Sequence, residues 1–322
     1  MSSAQTFTVR VARKVVEADD ICSFELVDIG GASLPGFSAG AHIDVHVPGG
    51  LTRQYSLCND SAETHRYQIA VLNDSASRGG SRAMHSEVTE GAVLEISPPK
   101  NHFPLASGAS KSLLLAGGIG VTPILCMAER LAMAGADFEM HYSTRSRSRT
   151  AFYDRISASA FASKVHFHFD DGAAAQTLNI SALLAAAPGD RHLYVCGPKG
   201  FMDAVLAAAR ANAWPESQLH YEFFSAEVSL SDSDTGFDIK LASSGRIIPV
   251  AKDQTVTQAL SAAGVEVQTS CEQGVCGTCL TRVLEGIPDH KDMYMTPEEQ
   301  AANDQFTPCC SRAKTKVLVL DL

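Results

Sequence analysis

Residues 271–279 read CEQGVCGTC, and two adjacent cysteines, Cys309 and Cys310, follow near the end of the chain. The spacing C-x4-C-x2-C with a further distant cysteine is that of plant-type 2Fe–2S ligation, in which four thiolates hold two iron ions. The two glycines inside the run let backbone N–H groups approach the sulfur atoms. The predicted metal ligands are Cys271, Cys276, Cys279 and either Cys309 or Cys310.

A structural zinc site is the alternative to the cluster. Zinc sites of this type are usually built from paired C-x2-C elements, which the run matches poorly, so zinc is disfavoured. The other four of the nine cysteines stand singly among apolar neighbours, where a small buried side chain is the ordinary interpretation. An odd cysteine count argues against a disulfide framework and for metal binding in a reducing compartment.

The composition narrows the possible function classes. The chain has 322 residues, enough for two or three domains, and 45% hydrophobic and 19% charged residues are typical of a soluble globular protein. The first residues, MSSAQT, lack a basic start and an apolar stretch, so we expect a cytoplasmic protein without a membrane span. A net charge of −10 argues against nucleic acid and favours a protein or small-molecule partner.

A nucleotide-binding domain is predicted for residues 106–226. Residues 112–116 (SLLLA) form a continuous apolar run typical of a buried parallel strand, and a glycine-rich turn and a helical segment, 124–134, follow it. This alternation of strands and helices predicts a doubly wound α/β domain. Further predicted strands cover 138–143, 165–169 and 192–196, and further predicted helices cover 151–158, 181–186 and 200–212.

The segments on either side have different patterns. Residues 1–105 alternate apolar and polar positions over short runs separated by glycine and proline clusters, which predicts a small antiparallel β-barrel or β-sandwich. Residues 227–236, rich in serine and aspartate, are interpreted as a linker. A third domain is predicted for residues 237–322, with a hairpin, a short helix and a final strand.

Two segments of the nucleotide domain are candidates for dinucleotide binding. Residues 116–123 (AGGIGVTP) lie between a strand and a helix, where glycine permits a tight turn and close approach of a pyrophosphate. Residues 196–198 (CGP) end a later strand, so both segments should flank one crevice at the carboxyl edge of the sheet. The predicted contacts are Gly117, Gly118, Gly120, Thr122, Pro123, Cys196, Gly197 and Pro198.

Residues 53–57 (RQYSL) resemble the R-x-Y-S signature of ferredoxin reductase-like flavin barrels. Residues 79–81 (GGS) follow on the next turn, where small residues can present backbone N–H groups to a phosphate and Arg53 can neutralise its charge. A polar hairpin is the alternative interpretation. The predicted flavin contacts are Arg53, Gln54, Tyr55, Ser56, Gly79, Gly80 and Ser81.

The cysteine run, the segment CCSRAK at 309–314 and the terminal LVLDL at 318–322 resemble the phthalate dioxygenase reductase family, which includes vanillate demethylase reductases. The resemblance covers essentially the whole chain. It implies a multidomain fold with an antiparallel β-barrel flavin domain, an α/β doubly wound nucleotide domain and an α+β β-grasp ferredoxin domain. The family's C-x-S-R-A-K pattern implies Cys309 as the fourth ligand and Cys310 as its neighbour.

The resemblance also implies roles for the site residues. Tyr55 packs on the isoalloxazine ring, Ser56 bonds near its reactive N5 atom, and Phe224 sets an aromatic ring against the flavin, with an ordinary core phenylalanine as the alternative. The motifs G-G-x-G-x-T-P and C-G-P line the nicotinamide site, with Cys196 in a positioning role. The residues implied to act in catalysis are Ser56, Thr122, Cys196 and Phe224.

The cofactors follow from the same resemblance. FMN rather than FAD is implied because GGS stands at the phosphate position and no aromatic platform occurs in residues 72–90. NADH is expected because the family uses it. Three arginines, Arg145, Arg147 and Arg149, follow the second strand of the nucleotide domain and leave NADPH open, since arginines can hold a 2′-phosphate.

The expected function is an electron relay from NADH through FMN and the cluster to a Rieske-type oxygenase of an aromatic-ring dioxygenase or demethylase system. A reductase for another acceptor is one alternative, although such relatives commonly place the ferredoxin domain first. A cluster-only carrier or redox sensor is another, and it requires both nucleotide motifs to be vestigial. Arg312, Lys314 and Lys316 contrast with the acidic chain, and we hypothesise that they help to dock the oxygenase.

The eleven histidines show no metal-binding spacing with a clear third ligand. His166 and His168 alternate with apolar residues and are expected on the polar face of a strand. Nothing in the sequence resembles a mononuclear iron site of two histidines and one carboxylate, so oxygen activation is expected in the partner.

Overall fold

The computed structural model describes residues 6–75, 77, 79–173, 176–186, 188–224 and 234–322. The chain divides into two compact units, Met1–Glu222 and Phe223–Leu322. Of the predicted linker, only residues 234–236 lie among the described residues. The predicted boundary between residues 105 and 106 falls inside the first unit, between its two sheets, and stays a prediction.

An antiparallel six-stranded sheet occupies the first part of the first unit. Its elements are β1 (Phe7–Ala18), β2 (Ile21–Asp28), β3 (His42–Val47), β4 (Leu51–Ser56), β5 (Tyr67–Leu72), α1 (Gly80–Ser86) and β6 (Val93–Ile96). The strand order is β4-β3-β6-β1-β2-β5. A bridge between Leu57 and Ile69 connects its two edges, as a barrel requires. Inward positions such as Val9, Val11 and Ile43 are fully buried, because successive residues of a strand face opposite sides.

A parallel five-stranded sheet forms the rest of the first unit. Its elements are β7 (Lys111–Gly117), α2 (Val121–Met133), β8 (Phe138–Thr144), α3 (Tyr153–Ser157), β9 (Val165–Phe169), α4 (Ile180–Leu184), β10 (Arg191–Cys196), α5 (Lys199–Ala211) and β11 (Leu219–Glu222). The order β11-β10-β7-β8-β9 reverses direction between β7 and β10. The carboxyl ends of these two strands therefore flank the crevice where doubly wound folds bind ligands.

The second unit is built around a mixed sheet. Its elements are β12 (Phe237–Leu241), β13 (Ile247–Val250), α6 (Val256–Ala262), β14 (Thr281–Glu285), β15 (Pro288–Asp289), α7 (Pro297–Ala302), β16 (Gln305–Phe306), β17 (Arg312–Ala313) and β18 (Val317–Leu320). The main sheet has the order β13-β12-β18-β14-β16, and β15 pairs with β17. The first and last long strands, β12 and β18, are parallel neighbours at its centre.

The predicted fold class is confirmed, with local differences. Helix α7 was not predicted, although Thr296 and Glu299 form a capping box at its start. The predicted helix at 151–158 is shorter, since α3 begins at Tyr153 after a left-handed residue, Phe152. Among the helices of the described residues, none has the length and apolar character needed to cross a membrane.

Candidate functional site

Four of the predicted flavin contacts, residues 53–56, lie on β4, and the register of β4 with β3 fixes the directions of their side chains. Gln54 is opposite Asp44, and its amide Nε2 donates to the Asp44 carboxylate Oδ1 at 3.0 Å. Lys100 binds the other oxygen of that carboxylate at 2.7 Å. The side chain of Tyr55 packs on the barrel core, and burial raises the pKa of its phenol well above the ordinary value. These contacts hold β4 and its side chains in one arrangement.

The glycines at the start of α1 lie against Arg53. A Cβ atom added to Gly80 would come within 2.6 Å of Arg53 Cγ, so the arginine stem occupies the space that a side chain would need. Gly79 has φ 104°, a left-handed conformation that favours glycine. Ser81 Oγ accepts a hydrogen bond from the backbone N–H of Asp74 at 3.3 Å. A cation, two glycines and nearby backbone N–H groups fit the phosphate of a flavin nucleotide.

Ser56, at the end of β4, meets the end of the nucleotide sheet. Its hydroxyl donates to Glu222 Oε2 at 3.4 Å. His42, opposite Ser56 in the β3–β4 register, has Nδ1 at 4.0 Å from Glu222 Oε1. Glu222 pairs in turn with Cys196 across β10 and β11. Ser56 and Cys196, both predicted site residues, thus meet through Glu222, with His42 beside it. The sequence analysis did not identify His42 or Glu222 as site residues.

The carboxyl group of Glu222 is held in its neutral form near neutral pH. Burial raises its pKa from 4.5 to about 8, although the hydrogen bond from Ser56 acts in the opposite direction. Burial, followed by the nearby Glu222 carboxyl, also raises the pKa of the Cys196 thiol well above its ordinary value. Cys196 is therefore a neutral thiol, which agrees with a positioning role and not with a nucleophilic one.

The two glycine turns of the nucleotide sheet are in backbone contact. A Cβ on Gly120 would lie 2.3 Å from the Cys196 carbonyl oxygen, and a Cβ on Gly197 would lie 2.9 Å from Gly117 Cα. Both turns need glycine because each occupies the space of the other's side chain. Gly118, at φ 52°, has open space beside it, so its backbone is accessible to a ligand.

Thr122 and the two predicted prolines shape these turns. Thr122 is buried, and its Oγ1 donates to the Ile119 carbonyl oxygen at 3.1 Å, so its hydroxyl stabilises the turn itself. Pro123 lies in the first turn of α2, where a missing N–H is tolerated. Pro198 is the N-cap residue of α5. Phe224 belongs to the second unit, and its role against a flavin stays a prediction.

Two of the three arginines that left NADPH open have protein partners. The Arg147 guanidinium stacks 3.2 Å from the centroid of the Tyr153 ring and lies 3.4 Å from Asp154. Arg149 lies 3.4 Å from Asp20. These contacts reduce the guanidinium surface that would meet a 2′-phosphate.

The cysteines of the second unit converge. The thiols of Cys276 and Cys309 hydrogen-bond to Cys271, which lowers the pKa of the Cys271 thiol, and Cys309 is also in contact with Cys279. The backbone N–H of Gln273 donates to Cys271 Sγ at 3.3 Å. Four buried thiols with backbone donors to sulfur form a donor set that fits a 2Fe–2S cluster.

Cys310 has different surroundings. Its Sγ lies 3.2 Å from Thr307 Oγ1 and 3.7 Å from Ser311 Oγ. A Cβ on Gly274 would lie 2.4 Å from that sulfur, so Cys310 packs directly behind the Gly274 turn. Cys309 contacts Cys271 and Cys279 as well as Cys310, whereas Cys310 contacts Cys309 and two hydroxyl groups. This difference supports Cys309 as the fourth ligand, which stays a prediction.

The predicted basic docking strip is wrong at Arg312. Its side chain is only 3% exposed and lies 3.8 Å from Asp234. The guanidinium donates to the carbonyl oxygens of Gln254, Thr235 and Ala251 at 2.8, 3.1 and 3.1 Å. Pairing of β17 with β15 turns this side chain inward, whereas Lys314 and Lys316 are exposed.

A flavin-type barrel, a doubly wound nucleotide sheet and a four-cysteine ferredoxin unit define a flavin- and NAD-binding iron–sulfur oxidoreductase. A family model described as a 2Fe-2S iron-sulfur cluster binding domain matches residues 239–314. A vanillate O-demethylase oxidoreductase of Pseudomonas putida is 56% identical over 307 residues, which cover 95% of this chain and 96% of that protein. Phthalate dioxygenase reductase of Burkholderia cepacia is 40% identical over 315 residues, which cover 98% and 97%.

A solved structure of phthalate dioxygenase reductase, described as modular and as transferring electrons from pyridine nucleotides to 2Fe–2S, has a TM-score of 0.80. It is 40% identical, and the match covers 98% of each chain. The present chain therefore belongs to the phthalate dioxygenase reductase family, which includes the vanillate demethylase reductases. It is the reductase component of a Rieske-type oxygenase system and carries a 2Fe–2S cluster, so the predicted family and enzyme class are confirmed.

Proposed function

We propose that this chain takes electrons from NADH through FMN and its 2Fe–2S cluster to the Rieske-type oxygenase component of a vanillate O-demethylase. The choice of vanillate is supported by 56% identity to a vanillate O-demethylase oxidoreductase over nearly the whole of both chains. Identity to the phthalate dioxygenase reductase is lower, at 40%. A cytoplasmic location and the absence of a nucleic-acid partner are part of the proposal, supported by the net charge of −10 and by the reduced thiolates that a cluster needs.

The observation that carries the proposal is the meeting of Ser56, Glu222 and Cys196, where the end of the flavin strand β4 reaches the crevice of the nucleotide sheet. A flavin bound along β4 would present its ring to a nicotinamide bound at that crevice. FMN, when bound, accepts two electrons from NADH and passes them on singly, which is chemistry that the cofactor supplies.

The protein residues bind and orient. Arg53, Gly79 and Gly80 would hold the flavin phosphate, and Tyr55 would pack against the ring system. Gly118 offers accessible backbone for the dinucleotide. Glu222, which carries its proton near neutral pH, can donate a hydrogen bond toward the nicotinamide or the flavin without placing a negative charge beside them. The four thiolates proposed as ligands are those of Cys271, Cys276, Cys279 and Cys309.

The partner is tested by reconstitution with purified oxygenase components. With a vanillate demethylase oxygenase, the chain should support NADH-dependent consumption of vanillate at a rate set by the oxygenase. With a phthalate dioxygenase oxygenase, we expect at least tenfold slower turnover. Equal rates with both oxygenases, or faster turnover with the phthalate enzyme, would contradict the assignment to vanillate.

The cofactors are tested separately. Flavin released by acid from the purified protein and separated by chromatography should be FMN, and recovery of FAD would overturn that part of the proposal. Steady-state reduction of ferricyanide should give a higher kcat/KM with NADH than with NADPH. A preference for NADPH would overturn the choice of NADH.

A further inference from the structure

A cluster of three histidines and one glutamate lies on one face of the parallel sheet, away from the turns that bind the dinucleotide. Glu139 and His141 alternate on β8, and His166 and His168 alternate on β9. The register places His141 opposite His166, so all four side chains project from the same face. The sequence analysis found no third ligand because the set is divided between two strands, with Glu139 and His141 on β8 and His166 on β9.

The donor atoms have the spacing of a metal site. Glu139 Oε1 lies 3.1 Å from His141 Nε2 and 3.5 Å from His166 Nε2, and the three atoms all lie within 4.8 Å of one another. A tetrahedral ion with bonds of about 2.1 Å has ligand atoms about 3.4 Å apart. Glu139 Oε1 has this spacing to both histidines, whereas the stacked rings of His141 and His166, with centroids 4.8 Å apart, must tilt toward each other for one ion to reach both nitrogen atoms.

The hydrogen bonds fix which nitrogen atoms carry protons. His168 Nδ1 lies 3.0 Å from the Gln176 carbonyl oxygen, which only accepts, so Nδ1 carries the hydrogen. In a neutral His168, Nε2 is then an acceptor, and it receives the hydrogen of His141 Nδ1 at 2.9 Å. This leaves His141 Nε2 with a bare lone pair directed at the Glu139 carboxylate.

Two acceptors 3.1 Å apart repel each other unless a cation lies between them. Metal-ligating histidines commonly have their second ring nitrogen fixed by a hydrogen bond, as His168 fixes His141 here. The ammonium group of Lys111 lies 3.4 Å from the other carboxylate oxygen, Glu139 Oε2, and leaves Oε1 to the histidines.

We propose that Glu139, His141 and His166 form a binding site for one first-row divalent metal ion, of which Zn²⁺ is the reference case. Imidazole nitrogen atoms and a carboxylate suit such ions, and His168 is a positioning residue that orients His141. The His166 and Glu139 side chains are 51% and 32% exposed, so the ion can enter from solvent and keep water as a further ligand. The bound ion links β8 to the edge strand β9.

The test uses the holoprotein with its cluster and flavin in place. Isothermal titration with ZnCl₂ should show one saturable site at neutral pH, and Zn²⁺ should raise the melting temperature of the protein. His166→Gln and Glu139→Gln should each weaken this binding at least tenfold. His166 is half exposed, so its replacement should leave the fold intact.

A matched control lies in the same sheet. His192 Nδ1 and His220 Nε2 are 2.8 Å apart, so His192→Gln removes one member of another histidine pair. This variant should bind Zn²⁺ as the wild type does. The proposal is overturned if His166→Gln and Glu139→Gln bind Zn²⁺ as the wild type does, or if His192→Gln loses Zn²⁺ binding to the same extent. It is also overturned if the wild type shows no site that saturates with one equivalent of Zn²⁺ or less.

Discussion

Glu222 is a carboxyl group with neighbours that do not compensate a negative charge. Ser56 offers one hydroxyl, and Cys196 is a neutral thiol that is itself fully buried. His42 lies 4.0 Å away. Burial of this carboxyl group therefore lowers the free energy of unfolding at every pH at which the unfolded chain would ionise it. This loss of stability has a defined pH range.

Glu222→Gln should change the pH dependence of stability. In the folded protein the pKa of Glu222 is about 8, against 4.5 ordinarily. Below pH 4.5 both states hold the proton, and between the two values only the folded state does, so the free energy of unfolding falls as pH rises, by a few kcal/mol. The glutamine variant should lose this decline in urea unfolding at pH 5 and pH 8.

The exposed Glu87 provides the control for this measurement. Glu87→Gln should show the same decline as the wild type. If Glu222→Gln and the wild type lose stability equally between pH 5 and pH 8, the carboxyl group is not held neutral.

Single substitutions can also decide whether Cys309 or Cys310 is the fourth ligand of the cluster. Cys309→Ser should abolish the low-temperature EPR signal of the reduced cluster, because its thiol is the one that faces Cys271 and Cys279. Cys310→Ser should retain the signal, since that sulfur packs against Thr307 and Ser311. The reverse pattern would assign the ligand to Cys310.

At the scale of elements, the turn between β7 and α2 is in backbone contact with the turn between β10 and α5. Gly120→Ala would place a Cβ 2.3 Å from the Cys196 carbonyl oxygen, which cannot move without disturbing β10. We expect a loss of about 1–3 kcal/mol in stability and a higher KM for NADH.

Gly200→Ala is the matched control, because nothing lies within 4 Å of its added Cβ and the residue is in helix α5. Alanine there should leave KM unchanged and slightly favour the helix. Equal effects of the two substitutions on KM and on melting temperature would show that contact between the turns is unimportant.

Much of the element structure could be predicted from the sequence. The continuous apolar run at 112–116 lies within β7, and the run at 192–196 lies within β10, because strands covered on both faces have no polar side. Helix α7 was missed, since six polar and small residues show no hydrophobic period. Its capping box, Thr296 with Glu299, was the available signal.

Part of the candidate site could not be predicted, because burial of a charged group depends on packing between distant segments. Glu222 is an ordinary acidic residue in the sequence and becomes a neutral carboxyl only where β4 meets β11. Arg312 was expected on the surface, yet it donates to three carbonyl groups in two segments that are distant from it along the chain, Thr235 and the turn 251–254. The glycine motifs and the cysteine spacing, in contrast, are short patterns within the sequence, so they can be recognised without knowledge of the packing.

At the scale of the whole molecule, a net charge of −10 must be reconciled with an oxygenase partner. Of the three basic residues predicted to dock the oxygenase, Lys314 and Lys316 are exposed and Arg312 is buried. Electron-transfer contacts are small and transient, so a few charges govern their association rates.

Charge reversal at both lysines, Lys314→Glu with Lys316→Glu, should slow reduction of the oxygenase about tenfold at low ionic strength. Reduction of ferricyanide by NADH should be unaffected, because the electron path to the cluster is intact. Lys252→Glu, at an exposed lysine elsewhere in the same unit, is the control and should change neither rate. A loss shared by both acceptors would remove the docking role.

The contact between the two glycine turns also limits how this protein can vary. At Gly120 all the obstructing atoms belong to backbone, and at Gly197 backbone atoms of Gly117 obstruct together with the Phe201 ring, so side-chain exchange elsewhere cannot by itself make room for a larger residue. In a saturation library selected for NADH oxidation, both positions should tolerate glycine alone, and no second-site suppressor should restore a variant. We therefore expect the two glycine turns to stay unchanged under directed evolution, and variants with a changed nucleotide preference to arise at other positions, of which Arg145 is one candidate.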